Sequence, residues 1–128
     1  MDIKKLIEEA RKAEKYAYAP YSNFRVGAAL LTSSGNIYTG ANVENASYGL
    51  TICAERTAIV KAVTAGERDF NVICVTSSGK GFVYPCGACL QVLAEFSPHI
   101  RVIVTDENDN YCEYLLKDML PNLFLFDK

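Results

Sequence analysis

Apolar residues recur at Ile3, Leu6, Ile7, Ala10, Ala13 and Ala17, with Lys, Glu and Arg between them. That three-to-four spacing predicts an amphipathic first helix ending before Pro20. Val26 to Thr32 is an apolar run of strand length, Ser33-Ser34-Gly35-Asn36 has turn chemistry, and Ile37-Tyr38-Thr39 opens a second strand. Together they read as a hairpin. Helical spacing returns near Cys53, where Ala54, Ala58, Ile59, Ala62 and Val63 share a face and Gly66 marks a stop. Val72 to Thr76 reads as a buried strand and Ser77 to Gly81 as a loop. Pro85-Cys86-Gly87 leads into a third helix with Leu90, Leu93 and Phe96 on one side. Ile100 to Thr105 is a further strand, Asn108-Asp109-Asn110 a turn, and Tyr111 to Tyr114 a short last strand. The predicted order is helix, strand, strand, helix, strand, helix, strand, strand. Alternation of this kind places the chain in the α/β class, a sheet with helices packed on its faces.

No linker, repeat or low-complexity segment interrupts the pattern, and 128 residues fit one domain, here 1–128, on the usual range of about 100–200 residues. Half the residues are apolar and 22% are charged, an ordinary globular balance. Thirteen basic against 15 acidic side chains give a net charge of −2 with no basic block. Nucleic acid and membrane surfaces are therefore poor candidate partners, and a small ligand is the better one. No apolar run approaches the length of a membrane span. The alternating start Met1-Asp2-Ile3-Lys4-Lys5 lacks a secretory core, so a cytoplasmic location is expected.

In that compartment five cysteines point to metal or catalytic roles before disulfides. Cys53 precedes the second helix, and Cys86 and Cys89 enclose Gly87-Ala88 at the start of the third. Helix N-termini favour thiolate over thiol, and three thiolates make a zinc shell whose fourth position is left for water, the catalytic pattern. His99 is the lone histidine, and the length of the third helix puts it ~15 Å from Cys89. Cys74 and Cys112 fall in predicted strands and read as small core residues. Cys86-Gly87-Ala88-Cys89 also has redox spacing, but a thioredoxin-like chain would place that pair after an early strand. Glu55 stands two residues after Cys53, close enough to serve a metal-held water as a proton carrier without binding the metal.

Cys53-Ala54-Glu55 followed by Pro85-Cys86-Gly87-Ala88-Cys89 resembles the zinc-dependent nucleoside deaminases in their three-cysteine variant. The resemblance extends to Tyr21-Ser22-Asn23-Phe24-Arg25-Val26-Gly27-Ala28, to Asn42-Val43-Glu44-Asn45-Ala46-Ser47-Tyr48, and to Leu120-Pro121-Asn122-Leu123-Phe124. These segments look like short-chain cytidine deaminases over nearly the whole chain. The resemblance implies a three-layer α/β/α fold on a central mixed five-stranded sheet, one Zn²⁺ per subunit, and a homotetramer with active sites at subunit interfaces. It implies hydrolysis of cytidine and 2′-deoxycytidine to the uridine nucleosides and ammonia, in pyrimidine salvage. Cys53, Cys86 and Cys89 take the ligand positions and Glu55 that of the proton shuttle. Asn42 and Glu44 match a ribose-binding pair, and alternation along a strand would turn both to one face. Phe24 matches a residue packed on the base, and the backbone at Ala54 one that reads the base edge. Tyr48 and Phe124 match residues acting across an interface, with Phe126 an alternative to Phe124. Arg56 matches a residue that donates to ligand sulfurs and withdraws charge from them.

Three other readings compete. A deaminase of the same fold acting on blasticidin S or a modified nucleoside would share the cysteine site, but Asn42 and Glu44 favour a ribose-bearing substrate. A polynucleotide deaminase needs cationic contacts that this slightly acidic chain lacks. A non-catalytic zinc module would hold the metal and release no ammonia.

Overall fold

The computed structural model describes residues 2–126. Helix α1 (Ile3–Glu14) starts at Asp2, whose side chain accepts from the Lys5 N–H at 3.1 Å. The helix stops one turn short of the expected limit, leaving Ala17 outside it. The reason is a competing pairing: the Tyr18 N–H donates to the Asn42 carbonyl, and the Glu44 N–H donates to the Tyr18 carbonyl. Strands β1 (Val26–Thr32) and β2 (Ile37–Ala41) form the expected antiparallel hairpin. A 3-10 turn at Tyr48–Leu50, unforeseen from the pattern, leads to α2 (Ala54–Thr64). Then come β3 (Phe70–Ser77), α3 (Gly87–Phe96), β4 (Arg101–Thr105), β5 (Tyr111–Leu115) and a short α4 (Leu116–Met119), also unforeseen.

The five strands make one mixed sheet in the order β2-β1-β3-β4-β5. Only β3 and β4 are parallel, joined through α3, and the other pairs are antiparallel. The period of two along the strands divides the core. Ala29, Val72, Cys74 and Ile103 face one side and pack on Leu6, Ile7 and Ala10 of α1. Ala28, Leu30, Ile73, Val102 and Val104 face the other and pack on Ala54, Ala58 and Ile59 of α2 and Leu90 and Leu93 of α3. This is the three-layer α/β/α arrangement.

Helix α2 lies unusually close to the sheet at Gly40, where a Cβ would fall 2.5 Å from the Ala54 carbonyl oxygen and 2.5 Å from the Ala58 nitrogen. Glycine lets the first turn of α2 sit directly on β2. Cys74 is a buried core residue, as its strand position predicts. Cys112 is only half-buried, because alternate residues of the edge strand β5 face outward.

Candidate active site

Cys53 is the N-cap of α2 and Cys86 the N-cap of α3, and neither sulfur caps its own helix. Both sulfurs are thus free to converge with Cys89, which sits in the first turn of α3. Cys53 Sγ and Cys86 Sγ lie 3.9 Å apart, Cys86 Sγ and Cys89 Sγ 3.6 Å apart, and all three lie within 4.8 Å of one another. Four-coordinate zinc with ~2.3 Å Zn–S bonds requires sulfurs ~3.8 Å apart. The donor set therefore fits zinc. Among the described residues this is the only such cluster, and exposed His99 is not part of it.

Glu55 is the second residue of α2, in its first turn, and is 4% exposed. Burial pushes its carboxyl up to about 7, and the nearby Cys53 sulfur acts in the same direction. The Cys53 thiol is drawn down to about 5, first by a hydrogen bond from Cys89 and then by one from Arg56, against the effect of burial. Cys89, the donor in that pair, is held above the ordinary thiol range. Arg56 Nη2 donates to Cys53 Sγ at 3.5 Å, and this contact keeps the guanidinium firmly charged. Arg56 Nε is buried with no hydrogen-bond partner among the described residues.

A cleft of about 230 Å³ opens over these groups, lined by Phe24, Asn42, Cys53, Ala54, Glu55 and Cys86 together with Val26, Thr51, Val83 and Tyr84. A second hollow adjoins it at Thr51 and is lined by Tyr21, Ser22, Glu44 and Tyr48. Asn42 and Glu44 are not on β2, which ends at Ala41. They lie in the following segment, where Val43 bridges Tyr18 on one side and Ile52 on the other. Asn42 is buried, its Oδ1 accepting from the Val26 N–H and its Nδ2 donating to the Phe24 carbonyl, each at 2.9 Å. Glu44 Oε1 accepts from the N–H groups of Tyr21 and Ser22 at 3.0 and 3.1 Å, and Oε2 accepts from the Ser22 hydroxyl. The Ser22 hydroxyl contact holds the Glu44 carboxyl below its usual range.

The family profile described as cytidine and deoxycytidylate deaminase zinc-binding region matches residues 1–105. The chain is 48% identical over 125 residues to a cytidine deaminase of Sporosarcina psychrophila, covering 97% of this chain and 92% of that one. It is 50% identical over 124 residues to a probable cytidine deaminase of Dictyostelium discoideum, covering 96% and 84%. The crystal structure of a Burkholderia pseudomallei cytidine deaminase superposes with a TM-score of 0.93 at 47% identity, covering 97% of this chain and all of that one. The chain belongs to the cytidine deaminase family.

Within this cytidine deaminase family fold, the structure gathers Phe24, Asn42, Cys53, Ala54, Glu55 and Cys86 on one cleft, with Cys89 buried beneath it. Glu44 and Tyr48 line the adjoining hollow. Phe124 and Phe126 line neither, and are 65% and 77% exposed. Thr51, Val83 and Tyr84 were not singled out from the sequence. Thr51 precedes Cys53 by two residues and Tyr84 precedes Cys86 by two, so nearness to a ligand was the signal available for both.

Proposed function

We propose that this chain catalyses hydrolytic deamination of cytidine and 2′-deoxycytidine, yielding uridine or 2′-deoxyuridine and ammonia in pyrimidine salvage. The reading rests on the meeting of three thiols and one buried carboxyl at a cleft of about 230 Å³. Cys53, Cys86 and Cys89 would hold one zinc, supplying three of the four donors that zinc takes. When bound, zinc supplies the Lewis acidity that makes water nucleophilic near neutral pH. Glu55 carries protons: it takes one from the water that adds to C4 and delivers it to N3 of the pyrimidine. It then takes the second from the added hydroxyl and delivers it to the C4 amino group, so that the C4–N bond breaks, ammonia leaves and the water oxygen remains as the C4 carbonyl. The carboxylate is ready for that work because it is buried beside the ligands and is not itself one of them.

Phe24 packs on the pyrimidine face and the backbone at Ala54 reads the base edge. The sugar falls to Asn42 and Glu44, and their existing hydrogen bonds define what each has left to offer. An amide has two N–H donors and a carboxylate about four acceptor directions. One Asn42 N–H goes to Phe24, leaving one donor, and three donors reach Glu44, leaving one acceptor. A spare donor and a spare acceptor on two adjoining hollows suit ribose hydroxyls, which both accept and donate. Tyr48 and Phe124 act on a neighbouring copy's site, in a homotetramer located in the cytoplasm. No helix among the described residues is long and apolar enough to cross a membrane.

The test is ammonia release from cytidine, 2′-deoxycytidine, cytosine and adenosine by zinc-loaded protein. The two cytidine nucleosides turn over, and Glu55→Ala retains zinc but releases no ammonia. A zinc-loaded wild type inert toward every nucleoside would overturn the assignment in favour of a binding module.

A further inference from the structure

Gln91 lies on α3, two residues beyond the ligand Cys89. Its side-chain amide pairs with the backbone of Phe124 in both directions. Nε2 donates to the Phe124 carbonyl at 2.5 Å, and Oε1 accepts from the Phe124 N–H at 3.0 Å. The pairing is the one a neighbouring strand residue would make. Residues 121–126 form no helix or strand. Among the described residues, the hydrogen bonds that fasten this segment to the rest of the fold are these two, supplemented by Leu123 packing on the core.

The clamp grips backbone only. It fixes where the Phe124 Cα–Cβ bond points and leaves the ring uncovered. Phe124 and Phe126 stand edge to face with centroids 5.3 Å apart, and both are mostly exposed. Two adjacent exposed rings on a fastened backbone form a preformed contact, whose ordering cost is met before any partner arrives. Helix α3 therefore has two roles. Its first turn carries the metal-ligand cysteines of its own cleft, and Gln91, two residues beyond Cys89, holds the backbone of a ring that does not line that cleft.

We propose that Gln91 is a positioning residue for the nucleoside site of a neighbouring subunit, acting through the Phe124 backbone. The inference rests on the reading of Phe124 given under Proposed function. Gln91→Leu keeps its zinc and its oligomeric state, raises KM for cytidine about tenfold, and changes kcat less than twofold, because a tail that lost two hydrogen bonds must be ordered on binding. Gln91→Glu keeps the acceptor for the Phe124 N–H and loses the donor, so its KM lies between those of wild type and Gln91→Leu. It also serves if Gln91→Leu does not fold.

Mixed oligomers isolated through two affinity tags, one on Gln91→Leu chains and one on Glu55→Gln chains, separate action within a subunit from action across the interface. The only working Glu55 then belongs to Gln91→Leu chains, while intact tails come from their partners. Recovery of a population of sites with wild-type KM is the expected result. A raised KM at every active site of the mixture shows that Gln91 acts within its own subunit and overturns the proposal. So does a wild-type KM in pure Gln91→Leu. Full cytidine turnover by a monomeric wild type overturns the Phe124 reading and this proposal with it, whereas absence of turnover in the wild-type oligomer overturns the assigned reaction itself.

Discussion

At the scale of single residues, charge around the three sulfurs is the controlling quantity. Three thiolates on Zn²⁺ leave a net charge of −1, which weakens the metal as a Lewis acid. We propose that Arg56 counters this: its Nη2 lies 3.5 Å from the Cys53 sulfur and it sits in the first turn of α2. Arg56→Ala should lower zinc affinity or turnover by about 10–100-fold, the usual loss for a group behind a metal ligand. Arg56→Gln should lose less, since it keeps a donor without the charge. Chelator competition and steady-state rates measure both, and unaltered values would leave charge balance to the helix N-termini. Glu44 has a different task. Its carboxyl is held below the usual range chiefly by the Ser22 hydroxyl, helped by the N–H groups of Ser22 and Tyr21. A depressed folded-state pKa stabilises the fold above the unfolded value, about 4.3, and that stabilisation is lost as pH falls through the lower folded value. The Tyr21–Ser22 turn should thus stay docked at pH 5. Ser22→Ala should move the Glu44 titration upward, an effect visible by NMR of the carboxyl carbon.

At the scale of elements, placement of the cysteines depends on how closely α2 rests on the sheet. Gly40 has no room for a methyl group, because the obstacles are the Ala54 carbonyl and the Ala58 nitrogen, both backbone atoms of α2. Gly40→Ala must lift the turn that carries Cys53 and Glu55. We expect a loss of about 1–3 kcal/mol, as for other overpacked cores, accompanied by weaker zinc retention. Thermal unfolding with parallel zinc analysis reads both, and a stability loss with full zinc retention would show that the turn adjusts without moving Cys53. That contact was not legible in the sequence, where Gly40 is one apolar strand-end residue among several. What was legible followed strong periodicity: all five strands, and the three longer helices. The end of α1 is not legible because Ala17 continues the helical spacing, while the Tyr18 backbone is claimed by residues 42–44, a pairing with no local signature. Asn42 and Glu44 follow β2 and flank the bridged residue Val43, a placement with no local signature either, and they line two hollows that adjoin at Thr51. The cysteine cluster was legible because each thiol stands at a helix start, and helix starts are among the clearest signals a sequence carries.

For the whole molecule, the question is how far the fold depends on its metal. Cys53 opens α2, and Cys86 and Cys89 open α3, so zinc cross-links two helices on one face of the sheet. The remainder of the molecule has its own support. The sheet buries Ile73, Val102 and Val104 under those helices and Val72, Cys74 and Ile103 under α1, and the α1 layer includes none of the ligands. A domain with two apolar layers should remain folded without the ion, unlike small zinc modules that have no core. Removing zinc should still matter, because a ligand that binds only the folded state stabilises it by RT ln(1 + [L]/Kd), about 4 kcal/mol at a thousandfold excess over Kd. For a chain of this size that corresponds to a fall in Tm of about 10–20 °C. Far-UV circular dichroism at 25 °C should be unchanged by chelation, while the melting point falls and recovers when zinc is returned. Cys89→Ala should reproduce the low melting point and make it insensitive to chelator. If chelation instead abolished helix and strand signals at 25 °C, the metal would be a condition of folding, and the two apolar layers would be too weak to hold the sheet by themselves.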